Sequence, residues 1–159
     1  MKKRARLLDF DIDTYNFEED VEFALNNFGQ VVTINPEMMS NPDMTDIVNS
    51  AELVIPDGIG VQIGLKIKGY NVERIPGIQF AYRMLEEFAK RNRTVALIGA
   101  KPEVAENAVK NLKQQIKNLN VVYIQDGYFK DDEYKVLRNP QQITNNQIRF
   151  DISYNRILP

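Results

Sequence analysis

The 159-residue sequence contains no cysteine, no histidine and no tryptophan. Without cysteine or histidine it offers no disulfide, no thiolate nucleophile, no imidazole base and none of the side chains that usually bind zinc. Acid–base chemistry near neutral pH is therefore left to Asp, Glu, Lys or Tyr, with a carboxylate as the first candidate.

Long apolar runs and a large excess of one charge are also missing. No run approaches the roughly 18 residues of a membrane span, and the basic residues 2–6 precede acidic ones instead of a signal-peptide core. We therefore expect a cytoplasmic protein whose basic N-terminus is either solvated or in contact with an anionic surface. The balance of 20 basic against 22 acidic residues argues against a dedicated nucleic-acid binder.

Apolar runs of strand length alternate with stretches of helical spacing. This pattern predicts an α/β fold, a Rossmann-like, mostly parallel sheet with flanking helices in a single domain. The predicted strands are 31–34, 53–55, 94–98 and 121–124, with an edge strand at 6–8. The predicted helices run from an Asn16 cap to Gly29, over 60–68, over 78–88 and over 102–116, and their apolar stripes are predicted core. Residues 1–137 form the predicted domain, and 138–159 a divergent polar tail with one possible strand at 148–152.

Four segments follow predicted strands, at 33–37, 56–60, 99–103 and 126–129. Because ligands of open parallel sheets bind at the carboxyl ends of the strands, we expect all four segments to face one crevice. Asp57 lies in a Pro-Asp-Gly turn, where its carboxylate could accept a proton from a substrate hydroxyl or could simply cap the next helix. Local sequence does not separate these two alternatives.

Other candidates have similar pairs of interpretations. The spacing of Gly58, Gly60 and Gly64 does not fit a dinucleotide fingerprint, so these glycines are interpreted as letting the backbone turn and pack closely, or as allowing approach to a sugar or phosphate. The segment Gly99-Ala100-Lys101-Pro102 could bind a nucleotide phosphate at a helix N-terminus, or be a plain helix start with Lys101 exposed. Arg74 could bind a diphosphate or form a surface ion pair with Glu73 or another neighbour. Thr33 and Asn35 could bind a sugar, and Asn35 could also cap a helix.

Five stretches of the sequence, taken in order, are typical of one family. They are residues 31–37, 51–61 with the Pro-Asp-Gly motif, 73–77, 97–102 and 126–129. Together they resemble the WecG/TagA/CpsF family of bacterial glycosyltransferases, over roughly residues 5 to 137.

The resemblance implies transfer of N-acetylmannosamine from its UDP donor to N-acetylglucosaminyl diphosphoundecaprenol, with inversion and without a metal ion. The product would serve teichoic acid or other surface polysaccharide synthesis. By the same resemblance, Asp57 is the base, Thr33 and Asn35 line the sugar pocket, and Arg74 faces the acceptor diphosphate. The segment from Gly99 to Pro102 borders the donor nucleotide. The resemblance also implies peripheral contact with the inner face of the membrane and assembly into dimers or trimers, to which an unpaired sheet edge would contribute.

Two departures from the family pattern set up an alternative. Gln79 stands where members usually have Asp or Glu. After Leu137 we find neither the next family strand with its Gly-x-Pro-Lys-Gln-Glu motif nor the basic appendage that closes the site, so we expect a truncated or altered chain. The alternative function is accordingly an inactive relic or a nucleotide-binding module of the same fold.

Overall fold

A computed structural model describes residues 3–128 and 147–151. Phe129 and the predicted tail, apart from its residues 147–151, lie outside the described residues. The chain divides into two compact units, Met1–Met84 and Leu85–Pro159. Within the part of the chain that is described, no helix combines the length and apolar character of a membrane-spanning segment.

The first unit contains an antiparallel hairpin and a parallel strand pair. The hairpin consists of β1 (Arg4–Leu7) and β2 (Phe10–Asp13), and the parallel pair of β3 (Val31–Ile34) and β4 (Leu53–Pro56). The helices are α1 (Phe17–Asn26), α2 (Pro36–Met39), α3 (Met44–Asn49) and α4 (Ile59–Ile67). Buried aliphatic side chains from both sheets and from α4 form one continuous core, in which Ile12, Ile34 and Leu65 are fully buried.

The second unit contains a three-stranded parallel sheet. Helix α5 (Gly77–Lys90) carries the boundary between the units and is followed by β5 (Thr94–Ile98), α6 (Pro102–Gln115), β6 (Asn120–Gln125) and β7 (Gln147–Asp151). The strand order is β6-β5-β7, so β5 is paired on both sides. The predicted α/β class with mostly parallel, Rossmann-like strand pairing is confirmed.

Local sequence signals fixed most element boundaries. Helix α1 begins with the predicted capping box: Asn16 Oδ1 accepts the Glu19 N–H at 3.0 Å, and Glu19 Oε2 accepts the Asn16 N–H at 2.9 Å. The prediction that Gly29 ends this helix was wrong. The last helical residue is Asn26, and the backbone N–H and side-chain amide of the cap residue Asn27 both donate to the Phe23 carbonyl, at 3.0 and 2.8 Å.

Three apolar residues assigned to core stripes are exposed instead: Phe28, Ile78 and Val104. Phe28 lies beyond the observed end of α1, so it no longer follows the helical period. Ile78 and Val104 lie in the first turns of α5 and α6, and the buried residues of α6, Ala105 and Val109, start one position later.

Strand β2 and helix α3 were not predicted. Strand β2 carries Asp11 and Asp13, and acidic residues are depleted in strands. In the hairpin register, Arg6 lies opposite Asp11 and Arg4 opposite Asp13, and both arginines donate to the facing carboxylates at 3.0 Å. Cross-strand ion pairs of this kind stabilise an otherwise unfavourable strand.

The N-terminal basic cluster is therefore not uniformly solvated. Arg4 is largely buried, and its guanidinium also donates to the carbonyls of Ala51 and Glu52 at 2.7 and 3.2 Å. The carboxylate of Asp13 is buried between the Arg4 guanidinium and the backbone N–H of Val54, which it accepts at 2.8 Å. This arrangement links the hairpin to β4.

A second buried carboxyl group lies on α1. Asp20 is 1% exposed, and among the described residues neither of its carboxyl oxygens has a hydrogen-bond partner. Burial is the main cause that raises the pKa of Asp20 from 3.8 to about 7, and the charges of Asp13, Glu19 and Glu73 raise it further.

The raised pKa of Asp20 predicts that the stability of the protein depends on pH, and that Asp20→Asn removes this contribution to the pH dependence. Because the folded-state pKa exceeds the unfolded value, the contribution of Asp20 is fully present below pH 3.8 and is lost as the pH rises towards about 7. This increase in the pKa of Asp20 corresponds to a loss of at most about 4 kcal/mol in the free energy of unfolding. We expect urea unfolding at a series of pH values from 5 to 8 to give a smaller decline in stability for Asp20→Asn than for the wild type.

The exposed Asp46 on α3 supplies the matched control, because Asp46→Asn makes the same chemical change without touching the buried carboxyl. An unchanged pH dependence in Asp20→Asn would contradict the assignment.

Candidate functional site

The carboxyl ends of β3 and β4 bring the first group of predicted residues together. The two strands pair in parallel, with Ile34 opposite Pro56, and the Asp57 N–H donates to the Ile34 carbonyl at 2.9 Å. The residues that follow each strand, Asn35 and Asp57, therefore meet at one edge of the sheet. Thr33, the last but one residue of β3, is partly buried at the same edge.

The Asp57 side chain contacts the start of α5. Its Oδ2 accepts the backbone N–H of Gly77 at 3.1 Å, and the Ile75 N–H donates to the Pro56 carbonyl at 3.0 Å. The alternative that Asp57 caps the next helix, α4, is not what the structure shows, because α4 has Gly58 as its N-cap and no side-chain cap bond. Asp57 instead binds an N-terminal amide of the helix after it, where a negative charge is favoured.

Glycines let the backbone close tightly around this edge. A Cβ on Gly77 would lie 2.8 Å from Thr33 Oγ1, and a Cβ on Gly60 would lie 2.8 Å from Pro36 Cγ. Gly58 has a φ of 100°, and a Cβ on this residue would lie 3.2 Å from Pro36 Cδ. The expected turn and close packing are therefore observed at Gly58, whose neighbour is Pro36, and its approach to a sugar or phosphate stays a prediction.

Asn35 caps a helix. Its Oδ1 accepts the Met38 N–H at 2.9 Å, with Pro36 at the first helical position of α2. The cap alternative is confirmed for Asn35, and a role in sugar binding stays a prediction. The cap orients the side chain at the strand edge beside Gly58, whose Cβ would lie 3.9 Å from that of Asn35.

Arg74 lies on an open cleft of about 420 Å³. The cleft is formed by the start of α1, Asn16 to Glu18, and by Glu73, Arg74, Pro76 and Gln79. Within residues 3–128, the exposed Arg74 guanidinium makes no hydrogen bond or ion pair, so the predicted surface pair with Glu73 is not present. Glu73 instead accepts the Phe17 N–H at 3.4 Å, and Glu18 pairs with Arg83 at 3.6 Å.

The second unit brings together the segments after β5 and β6. The Gly99 N–H donates to the Gln125 carbonyl, and the Gly127 N–H donates to the Ala100 carbonyl, both at 2.8 Å. Ala100 has a φ of 63°, which costs an L-residue roughly 1–2 kcal/mol. The α-carbon of Gly127 packs so closely that a Cβ there would lie 3.4 Å from the Ala100 oxygen.

Lys101 is the N-cap of α6, and Pro102 is its first helical residue. The helix has no side-chain cap bond, and Lys101 is exposed without a partner among the described residues. This geometry matches both predicted alternatives, a plain helix start and an N-terminus whose N–H groups are available to an anion.

The predicted residues thus fall into two groups, one in each unit, and their convergence on one crevice stays a prediction. Sequence reasoning quoted Gly77 in a family stretch but assigned it no role, although it supplies the amide that holds Asp57. The signal was present in the Ile75-Pro76-Gly77 run, a turn that leads into a helix. Over the described residues, no group of three or more Asp or Glu side chains is arranged to hold a metal ion.

A comparison with protein families shows which family the sequence matches. Residues 5–149 match the glycosyl transferase WecG/TagA/CpsF family, so the match runs beyond Leu137, where we expected the resemblance to end, and includes the start of β7. The family uses a nucleotide-sugar donor and a lipid-linked acceptor in general. Because the match covers most of the sequence, the chain belongs to the glycosyl transferase WecG/TagA/CpsF family and is a glycosyltransferase of that type.

Proposed function

We propose that the protein transfers N-acetylmannosamine from its UDP donor to a polyprenyl-diphosphate-linked N-acetylglucosamine, with inversion and without a metal ion. The observation that carries the proposal is the carboxylate of Asp57 at the edge formed by β3 and β4, held by the Gly77 N–H in a chain of this family. The product would enter teichoic acid or another surface polysaccharide at the inner face of the membrane.

Asp57 acts as the general base of this reaction. A carboxylate has about four lone-pair sites, so the bond from Gly77 does not exhaust its capacity to accept hydrogen bonds. It takes the proton of the acceptor hydroxyl while the hydroxyl oxygen attacks the anomeric carbon of the donor. The new glycosidic bond forms as the bond from that carbon to the UDP oxygen breaks, and UDP leaves. Attack opposite the leaving group inverts the anomeric centre.

The acceptor diphosphate binds at Arg74. The guanidinium has no protein partner among the described residues, and a planar fork of donors suits a diphosphate. The two carboxylates that share its cleft have partners of their own, since Glu73 accepts the Phe17 N–H and Glu18 pairs with Arg83. Thr33 and Asn35 bind the sugar from the strand edge beside Asp57.

The donor diphosphate binds at the start of α6. The uncapped N–H groups of this helix, its positive dipole end and the Lys101 ammonium all favour an anion. The tight pairing of Gly99 and Ala100 with the segment after β6 fixes the loop from which the helix begins.

Asp57→Asn is expected to lower kcat by roughly 10²- to 10⁴-fold, because the amide still accepts the Gly77 N–H but cannot take a proton. Turnover is measured with UDP-N-acetylmannosamine and a soluble short-chain acceptor in the presence of EDTA, because the proposed mechanism uses no metal. Asp43→Asn is the matched control, since Asp43 is exposed and makes no side-chain cap bond.

If the Asp57→Asn variant has the same kcat as the wild type, Asp57 is not the general base. A folded wild type that binds UDP but transfers no sugar from any UDP-hexosamine would favour the alternative, a nucleotide-binding module.

Arg74→Ala is expected to raise the KM for the diphosphate acceptor by about ten-fold or more, equivalent to about 1.4 kcal/mol. The melting temperature should stay unchanged because Arg74 has no partner among the described residues. Arg74→Lys should recover part of the affinity, since it keeps the charge without the bidentate fork. Lys117→Ala, a change at an exposed lysine, is the control. An unchanged KM in Arg74→Ala would place the diphosphate elsewhere.

Lys101→Ala is expected to weaken UDP binding by about three- to ten-fold, because it removes one charge from the helix start while the N–H groups remain. Isothermal titration calorimetry with UDP measures the change. Lys110→Ala removes an exposed lysine from the same helix, away from its start, and should bind UDP like the wild type. Equal losses in both variants would indicate a general charge effect.

A further inference from the structure

Helix α4 carries an apolar face that is exposed in the part of the chain that the structure describes. Ile59, Ile63 and Ile67 recur every four residues and so lie on one side of the helix. They are 63%, 50% and 82% exposed, whereas Val61 and Leu65 on the opposite side are buried. We call these three isoleucines the α4 stripe.

Helix α4 and the residues that follow it up to Val72 carry charge of one sign. From Gly58 to Val72 the sequence has two lysines and no acidic residue, in a chain whose net charge is −2. Lys66 is exposed beside the stripe and has no partner within the described residues. Lys68 lies one residue beyond the helix and donates to the Arg6 carbonyl at 3.1 Å. Tyr70, also exposed, follows at the same end.

We infer that the α4 stripe docks on an anionic phospholipid bilayer, with its isoleucines in the interfacial region and its lysines at the headgroups. A helix with an apolar face flanked by cations binds such a surface parallel to it. An amphipathic aromatic residue such as Tyr70 also favours this boundary. The complementary charges are the cations of residues 66 and 68 and the lipid phosphates.

The size of the α4 stripe favours a bilayer over a second copy of the chain. Three isoleucine side chains expose at most a few hundred Å², whereas a stable interface buries about 800 Å² on each partner. Shallow insertion into a bilayer needs no such area, because a few apolar side chains and nearby cations suffice.

The position of the stripe links it to the site, and this step rests on the proposed function. Helix α4 begins at Gly58, directly after Asp57, and spans about 14 Å. A bilayer under the stripe therefore lies along the helix whose start adjoins Asp57, where the acceptor sugar is proposed to bind.

Co-sedimentation of the whole chain with vesicles tests the inference. The vesicles contain phosphatidylcholine with phosphatidylglycerol as about a third of the lipid, or phosphatidylcholine alone. The wild type is expected to bind the anionic vesicles. Ile63→Gln combined with Ile67→Gln should weaken this binding by about ten-fold or more. Lys66→Gln should weaken binding to the anionic vesicles by about three-fold. Its binding to the vesicles of phosphatidylcholine alone should equal that of the wild type.

Ile47→Gln is the matched control, because Ile47 on α3 is 49% exposed and lies outside the stripe, and it should bind like the wild type. Three outcomes would overturn the inference: no binding of the wild type to anionic vesicles, equal binding of the doubly substituted chain, or a wild-type dimer in analytical ultracentrifugation that the double substitution dissociates.

Transfer to a soluble short-chain acceptor, measured without vesicles, separates this inference from the proposed function. The stripe variants should transfer sugar at the wild-type rate. Vesicle binding without any sugar transfer would refute the proposed function but support the docking surface. Sugar transfer without vesicle binding would support the proposed function and refute the docking surface.

Discussion

The buried carboxylate of Asp13 joins the two sheets of the first unit. It lies between the Arg4 guanidinium at 3.0 Å and the Val54 N–H at 2.8 Å, so it links the hairpin to the middle of β4. Charge-assisted hydrogen bonds of this kind are about twice as strong as neutral ones, and breaking one side would leave a charge buried without compensation. Strand β4 ends at Pro56, so the position of Asp57 depends on this link.

The buried surroundings of Asp13 are unfavourable for a second ionised carboxylate, that of Asp20. A second carboxyl group buried near Asp13 cannot share the Arg4 guanidinium, which already binds Asp13 and two backbone carbonyls. Burial and repulsion therefore act together to favour its protonated form. The first unit thus contains one buried carboxylate that has an arginine partner and one buried carboxyl group that is tolerated best when neutral.

Sequence reasoning located the helix starts that depend on neighbouring residues, although its local signal for the end of α1 at Gly29 failed, and it missed contacts between distant residues. The capping box of Asn16 and Glu19 and the prolines at the starts of α2 and α6 are local signals, and the structure contains all of them. Strand β2 was missed because its acidic residues are acceptable only beside the arginines of β1, a pairing that the hairpin creates. The bond between Asp57 and Gly77 joins residues 20 positions apart, so no local pattern contains it.

Backbone groups take part in the candidate site of the first unit. In many enzymes a histidine helps to orient a catalytic group, but this sequence has no histidine, and a backbone amide, that of Gly77, donates to the carboxylate of Asp57, the proposed base. An amide at a helix start is fixed by the helix, which gives it a direction that a flexible side chain lacks. The missing Cβ of Gly77 also lets the start of α5 approach Thr33, where a larger residue would meet the hydroxyl at 2.8 Å. The glycine therefore has two functions, to orient the carboxylate and to keep it close to the strand edge where the sugar is proposed to bind.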